Sequence, residues 1–304
     1  MTDWLPNFFI AGAPKAGTSS IHQWIADHPD AAGPREKETY FFVDPGTHMH
    51  RPKAHIAAGL ESWADQFTIT TGDAPNVIVE STPSYLYSRT ALEHIPTLAT
   101  LPKCLFILRE PAAQVHSLYT YFRNNWSWIP AEMSFADFLV AVRAGGHSFG
   151  GNELAQNALA YARYAEFLDP WRAALGEERM MVRGFDELLA DEIGFTKSVA
   201  AWVGLDPAFY DSYTFPRENE TYVPRNRALQ RLNVAIREKL PKGALYRGAR
   251  SLYRKLNTAP KASGRDLGDA ALIAGLRDEF AAANTQLAER YGVIFAPVQD
   301  GQQP

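Results

Sequence analysis

An α/β fold, with a central parallel β-sheet flanked by helices, is the architecture the sequence predicts. Two observations carry it. Short apolar runs bounded by turn or charged residues alternate with segments of helical periodicity. The first such run also leads through a glycine loop straight into a helical pattern.

The elements follow in order. Asn7-Phe8-Phe9-Ile10-Ala11 is a strand-length apolar run ending at Gly12. Across 18–27, Ile21, Trp24 and Ile25 share one helix face, and His28-Pro29 closes it. Val77-Ile78-Val79, Cys104-Leu105-Phe106-Ile107-Leu108 and Met180-Met181-Val182 read as buried parallel strands. Helical patterns lie over 111–123, 154–175 and 195–203, with a last helix over 272–291. No internal repeat is visible.

The 304 residues suit one domain over 1–304, with 46% apolar and 21% charged residues in ordinary globular proportion. A net charge of −4 argues against nucleic-acid binding by bulk electrostatics but leaves room for a local basic cleft. The single cysteine, Cys104, has no disulfide partner and reads as a buried thiol. No Cys/His cluster has zinc spacing, so no metal is expected. Residues 1–9 lack a basic leader, and no apolar stretch approaches the ~20 residues of a membrane span. The expectation is a soluble, cytoplasmic protein without stable membrane insertion. Residues 205–270 are the most basic part of the chain, a solvated face or a lid over an anionic ligand, and 297–304 reads as a frayed tail.

Gly12-Ala13-Pro14-Lys15-Ala16-Gly17-Thr18-Ser19, between strand and helix, is a P-loop-type anion site. Backbone N–H groups and the helix N-terminus point at the ligand, Lys15 adds a charge, and Thr18, Ser19 and Ser20 add hydroxyls. The triphosphatase pattern Gly-x-x-x-x-Gly-Lys-Ser/Thr is not met: Thr18 stands where the lysine belongs, and the lysine is at 15. The loop still grips an anion without specifying a Lys–Mg²⁺–γ-phosphate geometry. A plain strand-to-helix turn is the alternative.

Two further segments follow in order. One is Arg35-Glu36-Lys37-Glu38-Thr39-Tyr40-Phe41-Phe42. The other runs from Leu105 through Arg109-Glu110-Pro111 to Ser117-Leu118-Tyr119, with Arg109 leaving a strand and Ser117 two turns into the next helix. An arginine so placed can fork onto a phosphate, and the serine can donate beside it.

The ordered set resembles the PAPS-dependent sulfotransferases (PAPS is 3′-phosphoadenosine 5′-phosphosulfate), in particular the heparan-sulfate branch and its bacterial relatives. The resemblance implies that Lys15, Ala16, Gly17, Thr18, Ser19 and Ser20 hold the 5′-phosphosulfate. It implies that Arg109 and Ser117 hold the 3′-phosphate, and that Glu38 is the catalytic base. Glu110 replaces the more usual Asp. Glu80-Ser81-Thr82-Pro83-Ser84-Tyr85, 161–182 and 276–292 echo the family more weakly. The family's Lys-Gly-Arg lid motif is absent; 261–265 lies in the right place, and Lys242-Gly243 is a poorer candidate.

The implied reaction moves a sulfuryl group from PAPS to a hydroxyl or amine of a small-molecule, carbohydrate or lipid acceptor, without metal. Lys15 would meet charge on the bridging oxygen, and partial burial would raise the pKa of Glu38. Glu80 is a candidate acceptor anchor; His48, His50 and His55 are alternative bases. Tyr40, Phe41, Phe42, Tyr85, Tyr87, Tyr119, Tyr121, Trp126 and Trp128 are candidate pocket walls. A P-loop small-molecule kinase and a non-catalytic nucleotide- or glycan-binding relative are the competing readings.

Overall fold

The computed structural model describes residues 5–67, 75–216, 226, 229 and 267–295. Five strands form one parallel sheet: β1 (Phe8–Gly12), β2 (Ala31–Ala32), β3 (Val77–Glu80), β4 (Lys103–Leu108) and β5 (Met180–Gly184). Their order is β2-β3-β1-β4-β5. Phe8 pairs with Val79 on one side of β1, and Ile10 with Leu105 on the other. The helices are α1 (Thr18–Ala26), α2 (Arg89–His94), α3 (Pro111–Tyr121), α4 (Phe135–Ala144), α5 (Tyr164–Leu175), α6 (Phe185–Ala190), α7 (Glu192–Val203) and α8 (Leu267–Tyr291), with shorter turns between them.

Alternation along the strands divides the core. Phe8, Ile10, Val77, Val79, Leu105 and Ile107 face α1 and α7, meeting Ile21, Trp24, Ile25 and Val199. Phe9, Ala11, Ile78, Cys104, Phe106 and Leu108 face the other way, toward Leu168 and Trp171 of α5. Both faces are covered, which explains why the strands read as unbroken apolar runs. Cys104 is a free, fully buried thiol, its pKa pushed up by burial.

The helical pattern over 154–175 breaks into Glu153–Gln156, Ala158–Tyr161 and α5. Asn157, with φ −105° and ψ 17°, leaves the helical region and turns its side-chain amide onto the Glu153 carbonyl. Such local side-chain bonds compete with helix propagation. The helix expected to reach 123 ends at Tyr121 and passes into a π-turn over Phe122–Trp126. α4 was not expected, although Ser134 and Asp137 form a capping box at its start and Phe135, Phe138 and Leu139 are buried along it. The basic residues from Arg217 to Arg265, Lys242-Gly243 and 261–265 among them, and the tail 297–304 lie outside the described residues.

Candidate active site

β1 lies at the topological switch point, with β3 and β2 on one side and β4 and β5 on the other. Ligands of such sheets bind outside the carboxyl ends of the strands there. The glycine loop after β1, Glu80 at the end of β3 and Arg109 after β4 all belong to that edge.

The loop is anchored from three directions. Ala13 N–H donates to the Ile107 carbonyl at 2.7 Å. Gln114 Nε2 donates to the Pro14 carbonyl at 2.5 Å, and Arg109 Nη1 to the Lys15 carbonyl at 3.4 Å. Lys15 and Gly17 take left-handed backbone conformations, φ 66° and 78°. A Cβ on Gly17 would lie 2.8 Å from both Leu188 Cδ2 and Phe185 Cε2, so the position demands glycine for space as well as for φ. Gly17 is also the N-cap of α1 and brings no side-chain acceptor to its first amides. Those amides and the helix dipole are suited to hold an anion. Lys15 Nζ sits 4.1 Å over the Tyr121 ring. Thr18 is buried, Ser19 and Ser20 are half-buried, and the Ala16 methyl packs into the core, leaving only its backbone for a ligand.

Arg109 and Ser117, expected to hold the 3′-phosphate, adjoin this loop. Arg109 Nη1 donates to Ser117 Oγ at 3.3 Å as well as to Lys15 O. The Arg109 carbonyl accepts from Tyr164 Oη at 2.9 Å, and its guanidinium carbon lies 5.5 Å from the Phe185 ring centre. Glu110 caps α3 by accepting from the amides of Ala112 and Ala113 at 3.0 and 2.9 Å, so its extra methylene relative to Asp is accommodated. His116 points elsewhere, to Asp269 at 3.2 Å.

Glu38 is one-third exposed and ringed by donors. Lys37 Nζ lies 2.9 Å from its Oε1, and Tyr40 Oη donates to its Oε2. Burial pushes its pKa up, but Lys37, the two hydrogen bonds and Lys15 outweigh burial, and the net shift is downward. The expected rise is therefore reversed, because the neighbouring cation was not counted. Burial and the Glu38 charge in turn raise the Tyr40 phenol.

Glu80 is fully buried and cannot anchor an acceptor. Its Oε1 accepts from Thr39 N, Thr39 Oγ1 and Thr82 Oγ1 at 3.1, 2.8 and 2.6 Å, while Oε2 has no hydrogen-bond partner. Thr82 Oγ1 in turn accepts from Tyr40 N at 3.3 Å, and Tyr85 Oη from Phe42 N at 3.2 Å. The segment that carries Glu38 is thus held by side chains from the end of β3 and the turn after it. Burial raises the Glu80 pKa to about 7 against the pull of these hydrogen bonds.

The histidines have structural partners. His55 bonds the Val43 carbonyl at 2.9 Å and accepts from Ala57 N at 3.1 Å. His48 pairs with Glu153 at 2.6 Å, and His50 accepts from Gly46 N at 3.4 Å. His22, its pKa lowered to about 3 by burial and by Lys37, pairs with Ser81 Oγ at 2.7 Å. Of the aromatic candidates, Phe41, Phe42, Tyr85 and Tyr119 are core, whereas Tyr40, Tyr87, Tyr121, Trp126 and Trp128 are partly exposed. Among the described residues, no group of three His, Cys, Asp or Glu is placed to hold a metal, and no helix is long and apolar enough to cross a membrane. Lys37 and Gln114 were not singled out by the sequence, and Tyr121 was named only as a candidate pocket wall, not as the ring beneath Lys15. Their signal was position alone: beside Glu38, and at two points along the helix after Arg109.

A model of the sulfotransferase family matches residues 6–210. Heparan sulfate glucosamine 3-O-sulfotransferase 3B1 of Mus musculus is 26% identical over 213 residues, 69% of this chain and 49% of that protein. Bifunctional heparan sulfate N-deacetylase/N-sulfotransferase 4 of Mus musculus is 22% identical over 211 residues, 68% of this chain and 23% of that protein. The chain thus spans half or less of the length of these curated relatives. The crystal structure of a sulfotransferase from Alicyclobacillus acidocaldarius superposes with a TM-score of 0.57 at 22% identity, covering 76% of this chain and 92% of that one. The shared architecture is the P-loop-type α/β fold.

Proposed function

The chain belongs to the sulfotransferase family, and on that premise we propose that it transfers a sulfuryl group from PAPS to a hydroxyl or amine of a small-molecule, carbohydrate or lipid acceptor. The observation that carries the reading is the double contact of Arg109, to Ser117 on one side and to the Lys15 carbonyl on the other. It makes two anion-binding elements adjacent, which suits a nucleotide phosphorylated at both the 3′ and 5′ positions better than a linear triphosphate.

The residues fit such a donor. The amides at the α1 N-terminus have no side-chain cap, and the space beside Gly17 admits no Cβ on the protein side. PAPS supplies an activated S–O bond whose cleavage leaves negative charge on the bridging oxygen. Lys15 and the loop amides stabilise that charge by preorganised electrostatics. Arg109 and Ser117 orient the nucleotide through its 3′-phosphate. Glu38, beside the loop, takes the proton that the acceptor oxygen or nitrogen loses as its bond to sulfur forms. No metal enters this account.

Thermal unfolding with PAPS, adenosine 3′,5′-bisphosphate and Mg·ATP tests the reading. Stabilisation by the first two and not the third is expected. Stabilisation by Mg·ATP alone would replace the sulfotransferase reading with a kinase.

A further inference from the structure

Lys37 stands between the anion loop and the carboxylate. Its Nζ lies 2.9 Å from Glu38 Oε1 and 3.4 Å from Thr18 Oγ1, and its side chain is 19% exposed. Thr18 opens α1, whose uncapped N-terminus is the anion-binding element. One ammonium therefore serves the base and overlooks the anion site at once. It carries three donors but one charge. A sulfonate oxygen near Thr18 would compete with Glu38 for it, since both are anionic acceptors of charge-assisted bonds.

We propose that Lys37 is a shared cation: it neutralises Glu38 while the loop is empty and turns to the sulfonate end of the donor when the loop fills, so that Glu38 loses its counter-charge and is free to take a proton only with the donor in place. This rests on the donor assignment above. The base would then be silent until its partner substrate has arrived.

The other charged groups around the pair are identifiable. Tyr40 and Lys15 act on Glu38, and Arg51 lies over the Tyr40 ring at 5.4 Å. On the other side, the Lys37 charge acts on Glu80 and His22. At pH 5, Glu80, with its pKa near 7, is already protonated, and His22, with its pKa near 3, is neutral. The 5′-phosphate of the bisphosphate brings a proton of its own at that pH, so the part of the proton uptake that reports Glu38 is the part that Glu38→Gln removes.

The experiment is calorimetric titration at pH 5 in two buffers of different ionisation heat. The ligands are PAPS and adenosine 3′,5′-bisphosphate, which lacks the sulfuryl group. The proteins are the wild type, Lys37→Ala, Lys37→Arg and Glu38→Gln. Wild-type protein is expected to take up more protons with PAPS than with the bisphosphate, and the excess should shrink in Glu38→Gln and Lys37→Ala to the share that the bisphosphate's own 5′-phosphate supplies. Lys37→Ala should weaken PAPS about tenfold, ~1.4 kcal/mol, and the bisphosphate far less, while Lys37→Arg retains most of the PAPS affinity. An excess undiminished in Glu38→Gln overturns the proposal, and so does equal weakening of both ligands by Lys37→Ala. Failure of the wild type to bind either nucleotide would instead sink the donor assignment itself, and Lys37's role with it.

Discussion

Arg109 Nη1 donates to Ser117 Oγ at 3.3 Å across the start of α3, and the same nitrogen reaches back to the Lys15 carbonyl at 3.4 Å. The strand end after β4 and the loop after β1 are thereby joined at the sheet's switch point. In the proposed function, this contact sets the elements for the 5′ and 3′ ends of one nucleotide side by side.

Lys15→Ala should abolish turnover. The residue is the loop's own cation, held in a left-handed conformation and seated over Tyr121. A single-turnover assay should show kcat falling by well over tenfold, more than ~1.4 kcal/mol of transition-state stabilisation. Retention of a tenth or more of the wild-type rate would remove Lys15 from the chemistry.

Glu38→Gln should lose turnover yet bind adenosine 3′,5′-bisphosphate as the wild type does. The carboxyl pKa is depressed, so the basic form is populated above it and is lost as pH falls through it. The acid limb of kcat/KM in the wild type, which reports free enzyme, should therefore lie below about pH 4.5, the ordinary glutamate range. An active Glu38→Gln variant would place the base elsewhere.

Much of this site was legible as residue order. Arg109-Glu110-Pro111 leaving an apolar run, and Ser117 eight residues beyond Arg109, describe a pair that the fold does bring together. The four longer strands were legible because their central residues are apolar on both faces, whereas β2, two alanines long, carries no such run. The direction of the Glu38 shift was not legible. It depends on where the Lys37 ammonium points, and adjacent residues in an irregular segment have no fixed relative direction. Glu80 misled for a related reason: a carboxylate beside a Thr-Pro turn reads as exposed, and only the packing of 39–42 over the end of β3 buries it. The break at Asn157 escaped because the apolar spacing continues through it, while one side-chain amide ends the helix.

Glu80 gives stability a pH dependence. Its folded pKa, near 7, lies above the ordinary 4.5, so the folded state binds more protons between those values. Stability should be greatest at the acid side of that window and fall as pH rises through it, by of order 3 kcal/mol from this group alone. Glu80→Gln, which cannot ionise, should flatten that slope in urea unfolding measured from pH 4.5 to 8. Glu80→Ala should cost ~2–4 kcal/mol at pH 4.5 by stripping Thr39 and Thr82 of their acceptor, and less at pH 8, where the wild type has lost the contribution of the neutral carboxyl. An unchanged slope in Glu80→Gln would mean that the carboxyl does not titrate there.

Gly17→Ala should be destabilising by ~1–3 kcal/mol, from a left-handed φ and a Cβ forced against Leu188 and Phe185. Gly46→Ala is the control, since its φ of 88° carries the same backbone cost but nothing lies within 4 Å of the added carbon. Equal unfolding midpoints for the two variants would show that the packing beside Gly17 yields without cost.

The claim that two anion elements grip one nucleotide is tested most directly by comparing adenosine 3′,5′-bisphosphate with adenosine 5′-monophosphate in calorimetric titrations of the wild type and Arg109→Ala. The account predicts that the wild type prefers the bisphosphate by at least about tenfold, and that Arg109→Ala erases the preference by weakening the bisphosphate more than the monophosphate, which loses only the anchor at the Lys15 carbonyl. A charge-assisted contact worth ~1.5–3 kcal/mol would produce that difference. Equal affinity of the wild type for the two nucleotides would contradict it.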